Sequence, residues 1–279
     1  MKSILLLSIL TLFGVKFEDR SLLSLNDVEL NIDEILNSSI PESCFDGLTL
    51  TNDYRGKTIE EPKQKKLSIE FSGEIISSNK IAINFTALIG ANPKDLSYYV
   101  AIWQGGKIMS YASALQTKAL ITSKSVGSVI FENLDVSLEY IIGFGVNNKD
   151  VNTICSTVYI PAGTPLYETI DGISSTVSME FLGASFVISS FDTPAYNLAE
   201  QNENWVAIFE GRLTSDKFNG TNVIAFSMVT HNTNNGPVAF DELKIRRFTT
   251  YTIVYGMGTL ENGAPNYSNI VSATEFEST

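Results

Sequence analysis

The sequence predicts an all-β fold: two tandem antiparallel β-sandwiches preceded by a signal peptide and an irregular N-terminal segment. Three observations carry that expectation. Short runs rich in β-branched and aromatic residues, such as "KIAINFTAL" and "YIIGFGV", are divided by turn residues such as "GANPKD" and "QGGK". Four blocks recur in the same order, each displaced by about 106 to 111 positions. No long stretch after the first residues has a convincing helical period, with "DVELNIDEILNS" (27–38) the nearest to one.

The matched blocks are "LSIEFSG" with "VSMEFLG", from Leu67 and Val177, and "YVAIWQG" with "WVAIFEG", from Tyr99 and Trp205. "GSVIFENL" from Gly127 matches "GPVAFDEL" from Gly236, and "YIIGFG" from Tyr140 matches "YTIVYG" from Tyr251. Chance explains one such match easily and four in one order poorly.

In chain order, Lys2 and the apolar run Ile4 to Phe13 give residues 1–19 the layout of a secretory signal peptide. The run is too short to cross a bilayer, which takes roughly 20 residues. Residues 20–65 have no counterpart in the second unit, and "KQKK" (63–66) within them reads as a solvated linker. Repeat 1 is expected over 66–162 and repeat 2 over 176–279. The connection at 163–175 is punctuated by Gly163, Pro165 and Gly172.

The block "YYVAIW" is apolar along its whole length, as is "NWVAIF". Side chains in a strand alternate between faces, so Val100 and Ile102 lie on one side, matched by Val206 and Ile208. The other side carries Tyr99, Ala101 and Trp103, matched by Trp205, Ala207 and Phe209. The Val/Ile set suits the seam between sheets. The aromatic set then needs a cover: a loop of its own unit, the other unit, or the N-terminal segment. Left open, Tyr99, Trp103, Trp205 and Phe209 would form a platform for a sugar ring or a partner's apolar anchor.

In "NLDVSLEYIIGFGV", Leu134 stands six residues before Tyr140. This resembles a fibronectin type III or related immunoglobulin-like module, whose core Leu and corner Tyr have that spacing. The resemblance implies a fold class and no particular family. The second unit departs from it, since Leu243 lies eight residues before Tyr251 and the intervening chain must loop out or bulge.

Composition narrows the partners. With 19 basic against 31 acidic residues, the net charge is −12, and only "KQKK" clusters positive charge. A phosphate-binding surface needs clustered Lys and Arg, so nucleic acid is excluded, as is an anionic membrane surface. In an exported chain Cys44 and Cys155 are the pair available for a disulfide, and closing so long a loop would contribute roughly 4 to 5 kcal/mol. Two free buried thiols are the alternative.

Catalytic signals are sparse. The single histidine, His231, sits in loop-like sequence, no G-x-S-x-G elbow occurs, and no metal or cofactor motif is present. Carboxylates such as Glu70 and Glu180 recur at matched positions, but a glycosidase pair cannot be read from spacing alone. N-x-S/T sequons occur at Asn37, Asn84, Asn219 and Asn266, with Asn219 and Asn266 the better glycosylation candidates because both lie in turn-like sequence.

The expected function is therefore a secreted, non-enzymatic binding or adhesion protein recognising a glycan or an extracellular protein surface. Loops held by rigid sheets would do the binding. The segments after the matched strands differ most between copies and supply the candidates Gln104, Lys107, Tyr111, Glu210, Arg212 and Phe218. A secreted carboxylate-dependent hydrolase and a secreted toxin or effector are the alternatives.

Overall fold

The computed structural model describes residues 63–107, 113–147, 151–258, 260 and 263–278, which belong to one compact unit. The expected signal peptide, the stretch 27–38, Cys44, Asn37 and Tyr111 lie outside them. No helix among the described residues is long and apolar enough to cross a membrane.

The described chain is all-β and antiparallel. Its first half runs β1 Gln64–Ser68, β2 Glu70–Ser77, β3 Lys80–Thr86, β4 Tyr99–Gln104, β5 Gln116–Ala119, β6 Val126–Glu132, β7 Tyr140–Gly145 and β8 Ile154–Ile160. Short strands β9 Thr169–Asp171 and β10 Ile173–Ser174 occupy the stretch between the repeats. The second half runs β11 Thr176–Leu182, β12 Val187–Asp192, β13 Trp205–Glu210, β14 Val223–Met228, β15 Asn235–Phe240, β16 Thr250–Gly256 and β17 Ile270–Glu277.

Among the described residues these strands form four sheets, ordered β6-β3-β2-β9, β10-β8-β7-β4-β5, β11-β12-β15 and β1-β17-β16-β13-β14. Alternation drives the pairing of layers. In β2, Phe71, Gly73 and Ile75 turn inward while Glu70, Ser72 and Glu74 face outward. Phe71 and Phe85 then meet Phe144 of the facing sheet at ring-centroid distances of 5.8 and 5.6 Å. In the second half Phe191 stacks on Tyr255 at 5.1 Å. The Val/Ile set lies in this seam as expected: Val100, Ile102, Val206 and Ile208 all belong to the main core.

The duplication is visible in the register. Tyr99 pairs with Gly145 and Gln104 with Tyr140, just as Trp205 pairs with Gly256 and Glu210 with Tyr251. A bulge follows at the same place in each copy, at Phe144/Gly145 and Tyr255/Gly256. The first block match is corrected. Phe71 opposes Phe85 as Val177 opposes Phe191, so the counterpart of Phe71 is Val177, not the Phe181 that block similarity aligned with it. Phe181 is half-exposed and stacks on Phe186 instead.

The "KQKK" linker reading is also corrected, because its last three residues belong to β1. That strand pairs with β17 of the other half, and Lys65 lies 3.7 Å from Glu275. The relationship is reciprocal, since β10, which leads into the second half, pairs with β8 of the first. Ser68 opposes Ser272 and Ser174 opposes Ser156. Each repeat is thus entered through a strand lodged in the other repeat, and the crossings take one residue each, Ile69 and Ser175. Two tyrosines repeat the exchange, with the Tyr196 hydroxyl donating to Ile154 O at 2.8 Å and that of Tyr98 reaching Ile270 O at 3.5 Å.

The corner tyrosines behave alike despite their different spacing from Leu. Tyr140 OH accepts from Asp135 N and donates to Asp135 O, both at 3.1 Å. Tyr251 OH accepts from Arg246 N at 2.8 Å. In both copies the partner lies five residues upstream, and Leu134 and Leu243 are buried. The extra residues of the second copy therefore fall between Leu243 and Arg246.

Candidate functional site

The four aromatic platform candidates are all buried, so the aromatic face has the protein cover it needs and is not open as a platform. Tyr99, Ala101 and Trp103 pack with Ile141, Ile154 and Tyr196, so a loop of the second half covers this face of the first. Trp205 and Phe209 both meet Tyr267 edge-on, at 5.2 and 5.7 Å, so their cover comes from their own repeat. Burying rings of this size is worth about 2 to 3 kcal/mol each, and the chain's own residues supply that burial.

The loop candidates divide. Gln104, Lys107, Glu210 and Arg212 are exposed at the ends of β4 and β13, whereas Phe218 is buried within a 3-10 turn, Ser215–Asn219. Phe218 is thus a packing residue rather than a surface contact. Its neighbour Lys217 is buried too. Lys217 donates from Nζ to Glu210 O at 2.9 Å and lies over the Phe209 ring at 5.5 Å.

Around Gln104 and Lys107 the structure gathers two residues that sequence reading passed over, Glu139 and Tyr159. One carboxylate oxygen of Glu139 accepts from Tyr159 OH at 2.5 Å, and the other accepts from Gly106 N at 3.0 Å. Lys107 Nζ sits 5.6 Å from the centroid of the Tyr159 ring. The Tyr159 hydroxyl, the Gly106 amide and the Lys107 charge together hold the Glu139 carboxyl below its ordinary range. The same bond raises the Tyr159 phenol. Glu139 was legible only as the residue before the corner tyrosine; its role follows from the pairing of Gln104 with Tyr140, which sets it beside the turn after β4.

In the second copy the corresponding end is tied by Arg246 Nη1 to Glu210 Oε1 at 3.5 Å, leaving Arg212 exposed. Of the sequons, Asn219 is exposed at the end of its turn. Asn266 is half-buried, and its Oδ1 caps the next 3-10 turn by accepting from Ser268 N and Oγ. Cys155 is a free buried thiol whose Sγ donates to Phe144 O at 3.4 Å, so the expected bridge to Cys44 is not made from its side. Burial pushes that thiol up to about 12. His231 lies against the Phe191 ring at 5.6 Å. Among the described residues no three His, Cys, Asp or Glu side chains gather as metal ligands.

A concave region opens on the outer face of β6-β3-β2-β9, beside the crossing at Ile69. It is a groove of about 720 Å³ whose lining includes the hydroxyl, amide and carboxylate side chains of Ser72, Asn84, Thr86, Ser128, Glu70 and Asp171. No protein-family model and no curated protein matches this sequence.

Proposed function

We propose that the chain is an exported, non-enzymatic recognition protein built from two fibronectin type III-like sandwiches, which binds a glycan or an extracellular protein surface. Three features support the fold reading: a four-strand and a three-strand sheet each facing a five-strand one, the two corner tyrosines and the matched bulges. Fold alone does not assign function, so the binding reading rests on the surface. The observation that carries it is the Gln104–Lys107–Glu139–Tyr159 cluster. There a charged and aromatic patch is held in one geometry by hydrogen bonds to a sheet end. Preorganised groups on a rigid scaffold lose little entropy when they bind.

The test is a glycan array combined with a cell-surface pull-down on the mature chain, repeated with Lys107→Ala, Glu139→Gln and Arg212→Ala. Binding that drops with the first two substitutions at unchanged thermal stability supports the reading. Binding indifferent to all three refutes the loop-end assignment.

A further inference from the structure

The geometry points to the groove over β2, β3 and β6 as a binding site for a neutral oligosaccharide. This rests on the reading of the chain as a recognition protein and names both its ligand class and a second place for it. The argument comes from comparing two copies of one sheet face. In the second copy the outer face is closed by its own side chains: Glu180 Oε1 accepts from Ser178 Oγ at 2.9 Å and from Ser190 Oγ at 2.5 Å. Register makes Ser72 the counterpart of Ser178, and Asn84 that of Ser190. Neither Ser72 nor Asn84 has a side-chain partner among the described residues, and neither do Thr86, Ser128, Glu70 and Asp171 around them.

A second difference between the copies lies on the core side of the same sheet. Gly127 opposes Phe85 as Gly236 opposes Phe191. In the second copy the His231 ring lies over this glycine, where a side chain would overlap it. In the first copy the atoms nearest a side chain at Gly127 are those of Phe85 itself, with the Thr122 methyl at 3.5 Å. Gly127 shares the inward side of the sheet with Phe85, which meets Phe144 there, so this difference leaves the outer groove as it is.

One repeat thus satisfies its polar face internally, while the other presents hydroxyl, amide and carboxylate groups along an open groove. Those groups are the complement of sugar hydroxyls, which need both donors and acceptors. The two carboxylates and the net charge of −12 disfavour sulfated, phosphorylated or uronic ligands. The volume suits a few sugar rings.

The full chain is prepared in a host that does not N-glycosylate, because Asn84 heads a sequon. It is titrated with cello-, chito-, malto- and xylo-oligosaccharides and with a sulfated counterpart. The expected result is binding of at least one neutral series and none of the sulfated one. Asn84→Ala should weaken that binding about tenfold. Ser128→Trp, which fills the groove from an exposed strand position, should abolish it, and Lys107→Ala should leave it intact. Melting temperatures check that both groove variants fold. The assignment is overturned if no neutral series binds, if the sulfated counterpart binds in the groove, or if binding survives both groove substitutions. Binding lost with Lys107→Ala but not with the groove variants also overturns it, and leaves the loop-end reading standing.

Discussion

The Ser174 hydroxyl donates to the carbonyl oxygen of Ile69 at 2.5 Å, tying together the two places where the chain passes from one repeat into the other. Ile69 is buried, and it is the one residue between a strand lodged in the second repeat and a strand of the first. The halves are therefore expected to unfold together. Each repeat contains one of the two tryptophans, Trp103 and Trp205, so single-Trp variants report on each half separately. Ile69→Ala should cost about 2 to 4 kcal/mol and lower both fluorescence transitions in urea by the same amount. Two transitions that separate, with only one moved, would show that the exchanged strands do not couple the repeats.

Gly145 and Gly256 occupy equivalent positions beneath the rings of Tyr99 and Trp205, and a Cβ at either would overlap the ring above it. Overpacking of this kind costs about 1 to 3 kcal/mol. Gly256→Ala is expected to destabilise by that amount in chemical denaturation, and Trp205→Leu should remove most of the added penalty because the obstructing ring is gone. Additive effects in the double-mutant cycle would refute the close-approach explanation.

Both corner tyrosines bond the backbone five residues upstream, Tyr140 through two hydrogen bonds and Tyr251 through one, so both hydroxyls should contribute despite the longer segment before Tyr251. Tyr251→Phe is expected to cost about 1 kcal/mol, the net value of a hydrogen bond, and Tyr140→Phe at least as much. A negligible cost at Tyr251 alone would mean that the extra residues after Leu243 relax to meet Arg246 N by other means.

The tyrosine spacing shows how far the sequence could be read. The Val/Ile seam of β4 and β13 and the matched strands β4/β13, β6/β15 and β7/β16 were visible because core positions keep their size between copies. The first strand pair was misaligned because Phe71 and Phe181 share a motif while facing different surroundings, one the core and the other half-exposed. The exchanged strands were invisible for another reason. "QKKLS" and "IS" are short and partly polar, and what makes them strands is the open edge of β17 or β8, supplied from the other repeat. Likewise the groove depends on which polar side chains find partners. Ser178 and Ser190 find Glu180, whereas Ser72 and Asn84 find none, and composition cannot distinguish those cases.

Cys155 closes the set because its chemistry follows wholly from its position. It lies fully buried in the main core, and burial pushes its thiol from an ordinary 9.0 up to about 12. The folded chain therefore favours the neutral thiol, while the unfolded chain ionises at lower pH. Stability from this site is complete below about pH 9 and is lost as pH climbs toward 12. Since the thiolate is the reactive form, Cys155 in a Cys44→Ser background should react very slowly with an aromatic disulfide reagent at pH 8. It should react at the rate of a free thiol once denaturant is added. Rapid labelling of the native chain would place Cys155 at the surface and remove the physical basis for its raised thiol.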